Sequence, residues 1–187
     1  QSHEDIWLAT HQADNQWRSH RLKGFVNSGG NEGAATLSGD QSMIIFTACD
    51  REPGYGSCDL YLANAIGRHR ADSSHAWSYV YGKPVNLGPG INTAQWESQP
   101  SLAADGHSLF FIRAAKQGRG DANIWISYWD GKTFAKAQPL DSQINTPYAE
   151  STPFMHADGK SLFFASEGHV GMGNLDLFKS VLQADGS

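Results

Sequence analysis

The sequence has no cluster of lysine or arginine. Its 14 Lys and Arg are outnumbered by 19 Asp and Glu, for a formal net charge of −5. Nucleic acids and anionic membrane surfaces are gripped by gathered positive charge, so neither is expected as a partner. No apolar run approaches the roughly 20 residues that a bilayer-crossing helix needs, so no transmembrane segment is expected. No stretch keeps a sustained helical period, which excludes helical arrays. Catalytic signatures are missing too. There is no Gly-x-Ser-x-Gly elbow, no His-Glu-x-x-His and no zinc-ligand spacing, and the 8 histidines are scattered. An Asp-x-Asp-x-Asp calcium loop is also absent. The chain is therefore expected to be no enzyme and to hold no metal and no cofactor. It carries no signal peptide and starts at Gln1 rather than Met, which suggests a mature or trimmed chain.

Only two cysteines occur, Cys49 and Cys58, flanking the turn-like stretch Asp50–Ser57. Antiparallel strands on either side of such a loop would bring the thiols close enough for a disulfide, and a disulfide implies an oxidising compartment. The alternative is two separate thiols in a reducing cytosol.

What the sequence has in quantity is glycine, 20 residues, and aromatic side chains, 21 residues. Gly-rich turns and many aromatics suit an all-β protein. The decisive feature is an internal repeat. Three segments run from Glu to Asp in eight steps: Glu32–Asp40, Glu97–Asp105 and Glu150–Asp158. Each continues into an apolar strand, Met43–Phe46, Ser108–Phe111 or Ser161–Phe164. A Gly-x-Gly loop follows, at Gly54–Gly56, Gly118–Gly120 and Gly171–Gly173, and then a polar residue opens another strand at Asp59, Asn123 or Asp176. An asparagine stands five residues before each Glu, at Asn27, Asn92 and Asn145. All marks move by 53 residues from the second repeat to the third, and by 64 or 65 from the first to the second. The longer step reflects an insertion around Asn64–Tyr81, expected as a polar loop over Ala65–Ala76 with Arg68, His69, Arg70 and Asp72. A further strand opening, Asp5-Ile-Trp7, lies 54 residues before Asp59.

Each repeat offers about four strands, in the second expected at Ser98–Ala103, Ser108–Ala114, Asn123–Trp129 and Thr133–Pro139. Short apolar runs broken by Asp-Gly and Gly-x-Gly turns read as meandering antiparallel strands. Four strands in some 50 residues is the period of a propeller blade. The expected fold is thus an all-β propeller of four-stranded antiparallel blades, with about three and a fraction blades present. The expected divisions are a partial blade at 1–26, blades at 27–91 and 92–144, and a partial blade at 145–187. Closure needs at least four blades, and exposed sheet edges are costly. The missing blades are expected from a parent chain or a second copy.

The string Asn-Thr-x-x-x-Glu-x-x-Pro, then Asp-Gly-x-Ser-Leu-Phe-Phe, then Gly-x-Gly-x-x-Asp-Leu-Phe resembles the TolB-type, WD-like propeller repeat. It is similar in particular to the version in Gram-negative envelope proteins that join a propeller to an OmpA-like peptidoglycan-binding domain, among them a component of type IX secretion. Ala35 stands where that repeat usually has Pro, and Asn123 where it usually has Asp. The segment Ala48–Tyr61 is similar to a paired-cysteine hairpin of such proteins, and this resemblance favours the disulfide. It also implies a periplasmic or outer-membrane-associated location. The partners it implies are envelope proteins, peptidoglycan-associated or belonging to secretion machinery, and the role is a scaffold.

Three groups of residues are candidates for sites. Glu32, Glu97 and Glu150 share one phase, so a propeller places them around one rim. There they bind a cation or basic partner, or each accepts hydrogen bonds from its own loop. Trp96 and Tyr148, just before two of them, offer rings for a peptide or sugar. Asp5, Asp59, Asn123 and Asp176 are expected to satisfy amides of the preceding Gly-rich hairpin, and the three asparagines to shape turns. Trp7, Trp125 and Phe178 are expected to pack in cores. The alternative function is a carbohydrate-binding or glycoside-hydrolysing propeller, which would need a carboxylate pair at defined separation.

Overall fold

The computed structural model describes residues 3–12, 14–70, 77–114 and 122–183, and every regular element among them is a strand. In chain order these are β1(Trp7–His11), β2(Trp17–Arg21), β3(Asn31–Leu37), β4(Met43–Cys49), β5(Cys58–Arg70), β6(Trp77–Tyr81), β7(Val85–Asn86), β8(Trp96–Leu102), β9(Ser108–Ala114), β10(Asn123–Tyr128), β11(Gln138–Pro139), β12(Glu150–Met155), β13(Ser161–Ser166) and β14(Asp176–Val181).

They form antiparallel meanders: β1–β2, β3–β4–β5 with β6 and β7 on β5, β8–β9–β10–β11, and β12–β13–β14. The second and third meanders meet in a single parallel bridge, Cys58 to Trp96. The all-β expectation holds, and no closed sheet forms among the described residues.

Period-2 alternation explains how the meanders stack. Side chains of successive strand residues point to opposite faces. In β4, Ile44, Phe46 and Ala48 enter one core with Tyr61 and Ala63 of β5. Met43 and Ile45 enter the next core with Leu60 and Leu62. In β9, Leu109 and Phe111 return to that second core, while Phe110 and Ile112 enter a third with Leu162 and Phe164. A strand buried on both faces needs apolar residues at consecutive positions, which is why β4 and β9 carry the apolar runs Met43–Phe46 and Leu109–Ile112. Each fully buried Leu, Ile or Phe among them contributes about 1.5–3 kcal/mol on burial.

The turns follow the expected chemistry. Asp105 Oδ1 accepts the amides of His107 at 2.7 Å and Ser108 at 3.0 Å, and Asp158 does the same for Lys160 and Ser161, both at 2.8 Å. The left-handed position is filled by Gly106 (φ 70°), Gly159 (φ 67°) and, in the first repeat, Gln41 (φ 59°).

Three expectations are corrected. The insertion is no loop over its described length: β5 runs on to Arg70 and pairs with β6, while Asp72 lies outside the described residues. The strand expected at Thr133–Pro139 shrinks to Gln138–Pro139 plus a bridge between Trp129 and Phe134. Asp130 bonds the Lys132 and Thr133 amides into a turn instead. The first strands start earlier and carry a bulge at one shared phase, between Gly33 and Ala35, Ser98 and Ser101, and Ser151 and Phe154. Ala34, Gln99 and Thr152 take positive φ there, which lets the strand bend while keeping its inner face buried.

Candidate functional site

The three repeat glutamates are each enclosed, with relative exposures of 1% for Glu32 and 0% for Glu97 and Glu150. The residue four positions earlier supplies two donors in every case. Thr93 donates its amide to Glu97 Oε2 at 3.0 Å and its hydroxyl to Oε1 at 2.6 Å. Thr146 does so to Glu150 at 3.1 and 2.6 Å. Ser28 donates its amide to Glu32 Oε2 at 2.9 Å, and its hydroxyl to Oε1. The carboxylate thus folds the inter-sheet loop back onto the first strand.

A third donor comes from the cross-strand neighbour, and here the repeats diverge. Glu97 faces Arg113, whose Nε donates at 2.8 Å. Glu150 faces Ser166, whose hydroxyl donates at 2.9 Å. Glu32 faces Ala48, which has nothing to donate, and Arg51 approaches it from the loop at 3.5 Å. Arg113 is itself buried; its guanidinium lies 4.0 Å from the Trp125 ring centroid and donates to the Ile91 carbonyl at 2.7 Å. Burial pushes the Glu97 carboxyl above the usual range, against the pull of the Thr93 donors and Arg113.

The asparagines act over a longer range than a turn. Asn92 Oδ1 accepts the Leu60 amide at 2.8 Å, and its Nδ2 donates to the Leu60 carbonyl at 2.9 Å. Asn145 brackets Ile124 in the same way at 2.8 and 2.9 Å, and Asn27 brackets Ile6 at 2.8 and 3.0 Å. Each side-chain amide imitates one rung of a β-ladder and ties an inter-sheet loop to the residue that follows Asp5, Asp59 or Asn123. Asp59 accepts the amides of Tyr55 at 2.7 Å and Gly56 at 3.1 Å, and Asp176 accepts that of Gly173 at 3.0 Å. Asp5 instead holds Arg21 in a two-bond pair at 2.7 and 2.8 Å. The Gly118–Gly120 loop before Asn123 lies outside the described residues.

Cys49 and Cys58 form a disulfide across the register pair that closes β4 and β5. Trp96 is half-buried against the third core, whereas Tyr148 is 60% exposed. The shared loop phase therefore does not give the two rings a common surface. Trp125 and Phe178 pack on cores, but Trp7 is 59% exposed, because β1–β2 has a neighbouring sheet on one face only among the described residues. The carboxylates do not converge either. Among the described residues no three His, Cys, Asp or Glu side chains are grouped as a metal ion requires. Sequence reasoning missed Arg113 and Ser166, which only the cross-strand register places against Glu97 and Glu150, and Arg51, which reaches Glu32 from the β4–β5 loop.

No family model and no curated protein sequence matches the chain. Solved structures do. A puromycin-hydrolysing peptidase of Mycobacterium tuberculosis aligns over 96% of this chain at 12% identity, with a TM-score of 0.53. A puromycin hydrolase aligns over 87% at 17% identity and TM-score 0.49. A putative TolB from Agrobacterium tumefaciens aligns over 97% at 12% identity and TM-score 0.39, with 78% of its own length covered. The chain spans 29% and 24% of the two peptidase structures. At such identities the likeness speaks to the fold alone, which is propeller-like.

Proposed function

We propose that the chain is a non-catalytic propeller module that binds proteins, acting as a scaffold in an extracytoplasmic envelope assembly. The observation that carries this is the commitment of the repeat's polar residues to the framework. Glu32, Glu97 and Glu150 are buried and accept bonds from their own loops, Glu97 and Glu150 also from Arg113 and Ser166, and the asparagines bracket residues of other elements. Function then falls to the side chains that vary between repeats and reach solvent, such as Tyr148 at 60% and Trp17 at 69% exposure. Exposed aromatic rings are a residue type that anchors protein interfaces, and loops on a rigid scaffold, such as the one that carries Tyr148, are where binding sites concentrate. The Cys49–Cys58 disulfide supports an oxidising compartment, the periplasm or the outer-membrane surface. The likeness to OmpA-linked envelope propellers rests on the repeat motif and this hairpin.

Two other readings compete. The likeness to a puromycin-hydrolysing peptidase, 29% of which the chain spans, favours a hydrolase. Tyr148 and half-buried Trp96 are what remains for carbohydrate binding. A peptide display screen, a glycan array and a turnover assay with puromycin-type amides, run on the purified chain, separate the three. Selection of protein ligands that weaken with Tyr148→Ala, without turnover, supports the scaffold. Turnover, or glycan binding that weakens with Tyr148→Ala, overturns it.

A further inference from the structure

The three seams between sheets share a slot for one side chain. Steps of 65 and 53 residues carry Val26 to Ile91 and Ile144, and Phe46 to Phe111 and Phe164. Steps of 64 and 53 carry Tyr61 to Trp125 and Phe178. In the first repeat Arg51 donates to the Val26 carbonyl at 2.9 Å, and its guanidinium lies 5.9 Å from the Phe46 ring centroid and 5.4 Å from that of Tyr61. In the second, Arg113 donates to the Ile91 carbonyl at 2.7 Å and lies 5.7 Å from Phe111 and 4.0 Å from Trp125. In the third, His169 Nε2 lies 3.0 Å from the Ile144 carbonyl, and its ring is 5.7 Å from Phe164 and 5.0 Å from Phe178. A carbonyl only accepts, so Nε2 carries a proton. The same carbonyl and the same two rings are met each time, but from different chain positions. Arg113 belongs to β9, whereas Arg51 and His169 come from the loops that follow β4 and β13.

The first two occupants are permanent cations, a charge that aromatic faces attract. Each also reaches its repeat glutamate, Glu32 at 3.5 Å and Glu97 at 2.8 Å. The third occupant is an imidazole, the side chain that changes charge at ordinary pH, and Glu150 takes the Ser166 hydroxyl instead. Among the described residues, the titratable groups on the elements around His169 are Glu150 of β12, Glu167 beside it, Asp176 of β14, and Asp141 and Tyr148 of the inter-sheet loop. Arg113 and Lys179 lie on the opposite faces of their strands, over Trp125 and Phe163. A positive ring at His169 thus meets acids and two aromatic rings, and no like charge among these groups.

We infer that the third slot is a proton-gated latch on the β13–β14 loop. With a proton on both ring nitrogens, His169 is gripped as the two arginines are; the neutral ring is gripped less. The loop it holds is docked on the inter-sheet loop. The Glu167 amide donates to the Ala149 carbonyl at 3.0 Å, and Gly168 sits so near Thr146 that a Cβ there would overlap its side chain. The tip of the loop carries Val170 and Met172, both fully exposed. Acid therefore fixes an apolar tip against the sheets, and rising pH frees it. A cation held better in the docked loop than in the opened one stabilises docking while the ring is charged, and stops doing so once the ring is neutral. This inference concerns the order of one loop and does not rest on the scaffold reading.

The test is amide hydrogen exchange at Glu167, resolved by NMR and corrected for the intrinsic pH dependence of exchange, at about pH 5.5 and pH 8. Protection in the unaltered protein is about two- to tenfold greater at the acid pH. His169→Gln keeps a donor for the Ile144 carbonyl without a charge, and shows the lower protection at both pH values. His169→Arg supplies a permanent cation and holds the higher protection at both. Equal protection of the unaltered protein at the two pH values overturns the inference, and that comparison decides even where a variant fails to fold. So does a pH response that persists in His169→Gln, or protection in His169→Arg no better than in His169→Gln.

Discussion

The Glu97→Gln variant tests whether the repeat carboxylates brace the fold. Glu97 is fully buried and accepts three bonds, from the Thr93 amide, the Thr93 hydroxyl and Arg113 Nε. Glutamine keeps one oxygen, but its amide nitrogen must face at least one of these donors, so a donor meets a donor. Arg113 then stays buried with no counter-charge among the described residues, where it keeps the Ile91 carbonyl and the Trp125 and Phe111 rings. Loss of one hydrogen bond to a charged group and isolation of a buried guanidinium together cost about 2–4 kcal/mol. For a chain of this size that is a fall of about 5–15 °C in melting temperature. Glu150→Gln faces Ser166, whose hydroxyl rotates to suit either partner, so its cost is nearer 1 kcal/mol, about one ordinary hydrogen bond. Urea denaturation of both variants, with Arg113→Met and the double variant Glu97→Gln/Arg113→Met, closes a thermodynamic cycle. The double variant should lose less than the sum of the singles. A Glu97→Gln loss no larger than that of Glu150→Gln, or strict additivity with Arg113→Met, refutes the brace. An unchanged melting temperature with weakened binding of a basic ligand would return these acids to a binding role.

Three further outcomes are expected. Asn92→Asp should destabilise by about 3 kcal/mol, because the Leu60 and Asn86 oxygens that now accept its amide protons would face a carboxylate; equilibrium denaturation measures this. Thiol titration of the unfolded, unreduced protein should find no free thiol, and reduction should lower stability by about 2–3 kcal/mol. Acid should weaken the fold through its turns. Asp40 is lowered to about 2 by the Ser38 hydroxyl and then the Ser42 amide, and Asp158 lies below the usual range through the Ser161 and Lys160 amides. Burial works against the lowering of Asp105, yet the His107 and Ser108 amides outweigh it. Lowered folded-state pKa values give stability that is full above the unfolded carboxyl value near 4 and is lost as pH falls through the folded values. Melting temperatures between pH 5 and pH 2 should therefore drop, with a shallower slope for Asp105→Asn.

The repeat itself announced the strands, their order and the turn chemistry. Period 2 and Asp-Gly turns are local properties, and β4, β9 and β13 lie where their apolar runs stand in the chain. The Cys49–Cys58 pairing was legible as one of two alternatives, favoured by the resemblance to a paired-cysteine hairpin, and the register that sets the two residues opposite each other decides it. The site residues were legible only as positions. Equal spacing marked Glu32, Glu97 and Glu150 as equivalent. Whether such a carboxylate meets solvent or its own loop depends on side-chain direction and on the cross-strand neighbour, and Ala48, Arg113 and Ser166 share a register but no chemistry. The asparagine brackets join residues 21 or 32 positions apart, a separation that local pattern does not encode. Only the stacking of the sheets decides which of these side chains are enclosed, because burial is a property of neighbours in space.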